Sequence, residues 1–218
     1  MNKFLVYQFK KTNYSLDDIT KENLSTETLN SSDIINVNPL PLLYQSGYLT
    51  LKSYNEEFDE YTLGFPNREV EQGFVKYLLP FYTPKNDDKS TFAIPQFIKD
   101  IREGNAEGFM QRLENFFATG DYQVMGNLEI YFQNTIFVIF RLIGFYVTVE
   151  RHTTRGRIDI VMQTPQYIYI LELKIDKSAQ EALDQIEEKG YADTYAGDNR
   201  KIFKIGINFD SGTKKIND

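Results

Sequence analysis

A chain of 218 residues has room for one large domain or two small ones, and 41% hydrophobic with 25% charged residues is ordinary globular composition. The absence of cysteine excludes disulfides, zinc-thiolate sites and thiol catalysis, and a single histidine, His152, excludes a multi-histidine metal site. A net charge of −7 argues against broad, nonspecific binding of nucleic acid through a basic surface. No apolar run approaches the roughly 18 residues a membrane helix requires. The start, Met-Asn-Lys-Phe-Leu-Val-Tyr-Gln, lacks the apolar core of a signal peptide, so a cytoplasmic protein without a membrane partner is expected.

Residues 1–36 read as polar and helical, with Ser15 placed as an N-cap ahead of Leu-Asp-Asp-Ile. From Asn38 the pattern predicts a helix, a turn at Gly47, an alternating strand, a charged turn over 55–60, a second strand and a helix from about Asn67 to Leu79. That succession is winged-helix-like, although it carries no basic recognition helix. No Gly-x-x-x-x-Gly-Lys-Ser/Thr occurs anywhere, so the chain holds no nucleotide phosphates in a P-loop. Residues 84–90 are rich in turn formers and read as a linker. Two helices are predicted over Phe92–Ile101 and Glu107–Phe117, the second presenting Phe109, Leu113, Phe116 and Phe117 to a core.

A C-terminal module begins near Gly120. Leu128–Ile143 is apolar on most sides, the mark of a buried helix. Glu129 stands in its first turn, where the helix dipole alone would favour an acid, and Gln133 follows on the same face. A strand is predicted over Phe145–Glu150. Arg151, Arg155 and Arg157, with His152 among them, form a basic cluster that would either hold phosphates or pair with surface carboxylates.

The stretch from Arg157 to Lys174 is two apolar runs around Thr164-Pro165-Gln166, which predicts a hairpin. Side chains alternate faces along a strand, so Glu172 and Lys174 share one face while Leu171, Leu173 and Ile175 take the other. Asp159 lies in the preceding strand, and the hairpin pairing can carry it next to Glu172. Buried charges are usually paired or bound to a metal, and two carboxylates suit a hard cation such as Mg²⁺ or Mn²⁺. Ser178 to Glu181 is a capping box opening a helix that ends at Gly190, and Lys201–Phe209 is the last predicted strand, parallel through a crossover. The expected class is α/β (α+β overall), a mixed C-terminal sheet flanked by helices behind a helical N-terminal region.

Asp159 followed by Glu172-Leu173-Lys174 resembles the PD-(D/E)XK nuclease superfamily. The likeness is nearest to the nuclease domains at the C-terminus of AAA-ATPase-like proteins common in Bacteroidetes. It rests on Gly156 to Asp159, Glu172 to Lys174, Gln185 and Glu188 to Tyr191. The proline that gives the superfamily its name is absent before Asp159, where Ile158 stands. The resemblance implies a restriction-endonuclease-like sheet in which Asp159 and Glu172 hold Mg²⁺ or Mn²⁺ with the Leu173 carbonyl as a further ligand. Lys174 would position water and Glu129 would complete the acid cluster. It also implies that Arg151, Arg155, Arg157, Gln185 and Tyr191 contact the nucleic acid.

Leu42 to Thr50 and Leu63 to Val70 are similar to the segment closing the ATPase region of the same proteins. A P-loop would then lie upstream of Met1, and the chain would be a shortened version or an excised fragment. The expected domains are 1–84 (ATPase-like end), 85–119 (linker and helical pair) and 120–218 (nuclease-like), with a separate ATPase domain or a second copy as partner. The implied activity is hydrolysis of nucleic acid, DNA being the favoured polymer. Two other readings stay open: a noncatalytic module retaining the fold, and a transcription factor built on the winged-helix-like unit.

Overall fold

The computed structural model describes residues 6–7, 9, 12–30, 38–82, 90–118, 127–154 and 157–217. Residues 84–89 of the predicted 84–90 linker, the module start near Gly120, Arg155 and residues 31–36 lie outside the described residues, and Ser90 opens a helix. Two compact units form, one from Met1–Tyr82 with Met125–Val138 and the other from Thr83–Val124 with Ile139–Asp218.

In the first unit a 3-10 helix over Leu16–Thr20 is followed by β1 (Asn23–Ser25), α1 (Thr26–Asn30), α2 (Leu40–Gln45), β2 (Thr50–Asn55), β3 (Glu60–Gly64) and α3 (Arg68–Tyr82). The strands pair antiparallel in the order β1-β3-β2. The first part of this region, expected to be helical, also contains β1, which pairs through Leu24 and Tyr61. A three-residue strand carries no periodicity of its own and exists only because β3 offers an edge. Ser15 precedes the 3-10 helix as expected, but its side chain makes no cap hydrogen bond. The buried Asn134 amide instead takes over nearby backbone, accepting from the Leu16 amide at 2.8 Å and donating to the Tyr14 carbonyl at 2.9 Å. Phe74 on α3 centres the core, packed against the rings of Phe9, Tyr48 and Phe65.

The second unit contains α4 (Ser90–Glu103) and α5 (Ala106–Ala118), then the end of α6 (Leu128–Ile143), whose residues to Val138 belong to the first unit. There follow β4 (Thr148–Thr154), β5 (Arg157–Gln163), β6 (Tyr167–Ile175), α7 (Ala179–Glu188), a 3-10 helix over Tyr191–Tyr195, β7 (Lys201–Asp210) and β8 (Lys215–Asn217). The sheet runs β4-β5-β6-β7-β8, with β6 and β7 parallel and every other neighbour antiparallel. This is the mixed sheet with flanking helices that the sequence predicts.

Two boundaries differ from expectation. β4 starts at Thr148 rather than Phe145, because the amides of Phe145, Tyr146 and Val147 still donate to the Leu142 and Ile143 carbonyls and keep the chain wound past α6. A final short strand, β8, folds back on β7 through the turn at 211–214, beyond the last predicted strand, which ends at Phe209.

One face of this sheet is apolar and packs on helices. Tyr169 stacks on Phe203 at 4.8 Å, and its hydroxyl donates to the Ile101 carbonyl of α4 at 2.8 Å. Phe117 of α5 meets Phe209. The other face is covered by α7, whose Ile186 packs with Ile168 and Ile170. The close fit depends on Gly206, where a Cβ would lie 2.2 Å from the Ala179 carbonyl oxygen. The Ser178–Glu181 capping box forms as predicted. Gly190 adopts φ +60° just past the helix, the left-handed turn that glycine allows at little cost.

Candidate functional site

The hairpin turn at Thr164–Gln166 fixes the register of β5 on β6, and that register puts Asp159 directly opposite Glu172 and Arg157 opposite Lys174. Opposed residues of an antiparallel pair project on the same face, with Cβ atoms about 5 Å apart. A slip by one residue would send Glu172 and Lys174 into the apolar face instead. Leu173, between them, points the other way and is buried at 1% exposure. Only its backbone carbonyl is therefore available to the side where the acids lie.

Glu172 is fully buried and Asp159 nearly so. Both Glu172 oxygens and Asp159 Oδ1 are sealed from solvent. Lys174 Nζ lies 3.7 Å from Glu172 Oε1, an ion pair too long to count as a good hydrogen bond. The ammonium also donates to Gln185 Oε1 on α7. Asp159 Oδ2 accepts a hydrogen bond of 3.0 Å from the Tyr191 hydroxyl, and that hydroxyl accepts one of 3.2 Å from Lys189 Nζ. His152, exposed on β4, is the register partner of Asp159 on its other side.

The structure thus brings Asp159, Glu172, Lys174, Gln185 and Tyr191 into one group. For Gln185 and Tyr191 the contacts seen are with Lys174 and Asp159 themselves. The backbones of Arg151 and Arg157 pair with Ile160 and Lys174, while their side chains and the whole of Arg155 lie outside the described residues. Glu129 stands in the first turn of α6, in the portion belonging to the first unit, and its Oε1 accepts from Gln133 Nε2 at 3.2 Å.

Two residues are not assigned from the sequence, Lys189 at this site and Arg200 at the hairpin turn. Lys189 was available as the residue before a chain-reversing glycine, which returns both it and Tyr191 to the sheet. Arg200 could not be found that way. It forks onto Asp198 with contacts of 2.6 to 3.0 Å and reaches the Thr164 carbonyl and Gln163, clasping the segment after α7 to the hairpin turn. The Arg200 guanidinium holds the Asp198 carboxyl down to about 2.

The chemistry of this donor set is that of a hard cation. Among the described residues no cluster of three or more His, Asp or Glu side chains forms, so the acids stand as an oxygen-only pair. One or two carboxylates, completed by water and substrate oxygens, are what Mg²⁺ and Mn²⁺ take. Two buried carboxylates facing each other repel, and a divalent ion between them would relieve that. The residues present therefore fit such an ion.

Comparison with known proteins bears on the C-terminal region. Residues 127–218 match the family model of the PD-(D/E)XK nuclease superfamily, whose fold is restriction-endonuclease-like. The chain is also 27% identical over 204 residues to an uncharacterized protein in the vnfD 5′ region of Azotobacter chroococcum mcd 1. That alignment covers 88% of this chain and 39% of the relative. No solved structure matches. No helix among the described residues is long and apolar enough to cross a membrane.

Proposed function

We propose that this protein is a metal-dependent nuclease that hydrolyses phosphodiester bonds of nucleic acid, with DNA as the favoured polymer. The observation that carries the reading is the direct register of Asp159 with Glu172, with Lys174 on the same face of β6. Asp159 and Glu172 would hold Mg²⁺ or Mn²⁺, with the Leu173 carbonyl as a further oxygen ligand. The ion, when bound, supplies Lewis acidity at the phosphoryl oxygens and acidifies water.

The remaining work falls to the chain's own residues. Lys174 has three N–H donors, and its contacts with Glu172 and Gln185 fix the direction of the ammonium. So held, it would orient the attacking water and neutralise charge gathering on the phosphoryl group. Arg151, Arg155 and Arg157 would grip flanking phosphates, and Gln185 and Tyr191 would meet the nucleic acid from beside Lys174 and Asp159. We place this chemistry in residues 120–218, after the helical pair of 85–119, and read residues 1–84 as an ATPase-like end region serving as scaffold.

Purified protein with Mg²⁺ or Mn²⁺ should cleave DNA. Asp159→Ala or Lys174→Ala should lower the rate by about 100-fold or more while leaving the melting curve in place. Failure of the wild type to cut single-stranded, double-stranded or branched DNA or RNA would overturn the reading. The net charge of −7 favours a second one, a noncatalytic interaction module that keeps the fold. Calorimetric titration with Mn²⁺ separates them: saturable binding lost in Glu172→Gln supports the nuclease, and no binding supports the module.

A further inference from the structure

Asp159 can serve as a ligand only if its carboxylate is turned toward Glu172, and a hydrogen bond from Tyr191 bears on that turn. The Tyr191 hydroxyl donates its single proton to Asp159 Oδ2 at 3.0 Å. A phenol hydroxyl lies in the ring plane in either of two orientations, and by itself it does not choose between them. Lys189 Nζ supplies the choice: it donates to the Tyr191 phenol oxygen at 3.2 Å, occupying a lone pair and leaving the proton to point at Asp159. The ammonium also lies 5.5 Å from the centre of the Tyr191 ring, within the range of a cation–π contact. The backbone of Lys189 is anchored, because its amide caps α7 on the Gln185 carbonyl at 3.1 Å, while its side chain lies exposed along Tyr191. Gly190 then turns the chain with φ +60°, so the two side chains flanking it meet.

We infer that Lys189 is a positioning residue for Asp159, acting through the Tyr191 hydroxyl. The inference rests on the metal-binding reading of Asp159 and Glu172 and deepens it. It also makes a prediction of unusual sign. A positive charge beside a cation site opposes cation binding, so deleting a lysine there should tighten Mn²⁺ if charge were its only effect. A positioning lysine must do the reverse.

The test is calorimetric Mn²⁺ binding to the full chain without nucleic acid. Lys189→Met should raise the dissociation constant about fivefold, the order expected from one charge-assisted hydrogen bond acting at one remove. Lys189→Arg, which keeps a charged donor, should restore most of the affinity. Tyr191→Phe should weaken binding at least as much, and Lys189→Met should then add nothing in that background. In metal-free protein the ¹³C resonance of the Asp159 carboxyl should shift alike in Lys189→Met and Tyr191→Phe.

Unchanged or tighter Mn²⁺ binding in Lys189→Met, with wild-type binding abolished by Glu172→Gln, would overturn the role of Lys189 and leave the metal site standing. Absence of Mn²⁺ binding in the wild type would remove the metal site. A carboxyl resonance indifferent to Lys189→Met would refute the positioning contact whatever the metal result.

Discussion

Tyr169 on β6 carries as much structural consequence as any residue in the sheet. It is fully buried, and its hydroxyl satisfies the Ile101 carbonyl. Tyr169→Phe would leave that carbonyl short of a donor in a dry environment, so a loss of about 1 to 2 kcal/mol is expected from urea unfolding. Burial also pushes the phenol from its ordinary 10 up to about 12. The folded protein then keeps a proton through a range in which the unfolded chain has lost it. The associated stability is complete below pH 10 and is lost as the pH rises toward about 12. Unfolding free energies measured across that range should fall more steeply in the wild type than in Tyr169→Phe. Equal slopes would show that Tyr169 does not contribute to the alkaline loss. Residue identity here was legible from the start, because Tyr167, Tyr169 and Leu171 alternate with Ile168, Ile170 and Glu172. The partner of each hydroxyl was not, since the Ile101 carbonyl lies 68 positions earlier in the chain.

At the scale of the element, α7 is the part on which the site depends. It carries Gln185 to Lys174 and, through the Gly190 turn, Tyr191 to Asp159. Two local features hold it there: the capping box at Ser178 and the flat seat offered by Gly206. Ser178→Ala should cost about 1 kcal/mol, as expected for a lost N-cap, and should leave the contact with Lys174 intact. Gly206→Ala sets a methyl 2.2 Å from the Ala179 carbonyl, so helix and strand must part. A cost of about 1 to 3 kcal/mol is expected for such overpacking. Since the separation should also withdraw Gln185 from Lys174, a larger fall in Mn²⁺-dependent cleavage than in Ser178→Ala is predicted. Equal activities in the two variants at matched stability would argue against a role for close packing. The helix and its cap were written in the sequence through the Ser-x-x-Glu pattern and the apolar spacing of Ala182 and Ile186. The need for glycine at 206 was not, because a strand glycine gives no hint of what lies across it.

For the whole molecule, a net charge of −7 means that nucleic acid is not drawn in from a distance. Association should therefore depend on divalent ions seated at the acid pair. Fluorescence anisotropy with labelled DNA is expected to show little binding in EDTA and clear binding with Ca²⁺, and Ca²⁺-independent binding of equal strength would contradict this. The sequence by itself determined the hairpin, its turn, the helix before it and the crossover after it. Each of these is set by contacts between near neighbours: period-2 alternation, a Pro-containing turn, a capping box. It also determined that Glu172 and Lys174 share a face, since strand geometry leaves no other choice. Only the tertiary structure decided that Asp159 lies in register with Glu172 rather than one step off, that β1 and β8 exist as strands, and that the relay from Lys189 through Tyr191 ends on Asp159. Those features join parts of the chain through packing and paired edges, and the energy that selects them appears only once both partners are in place.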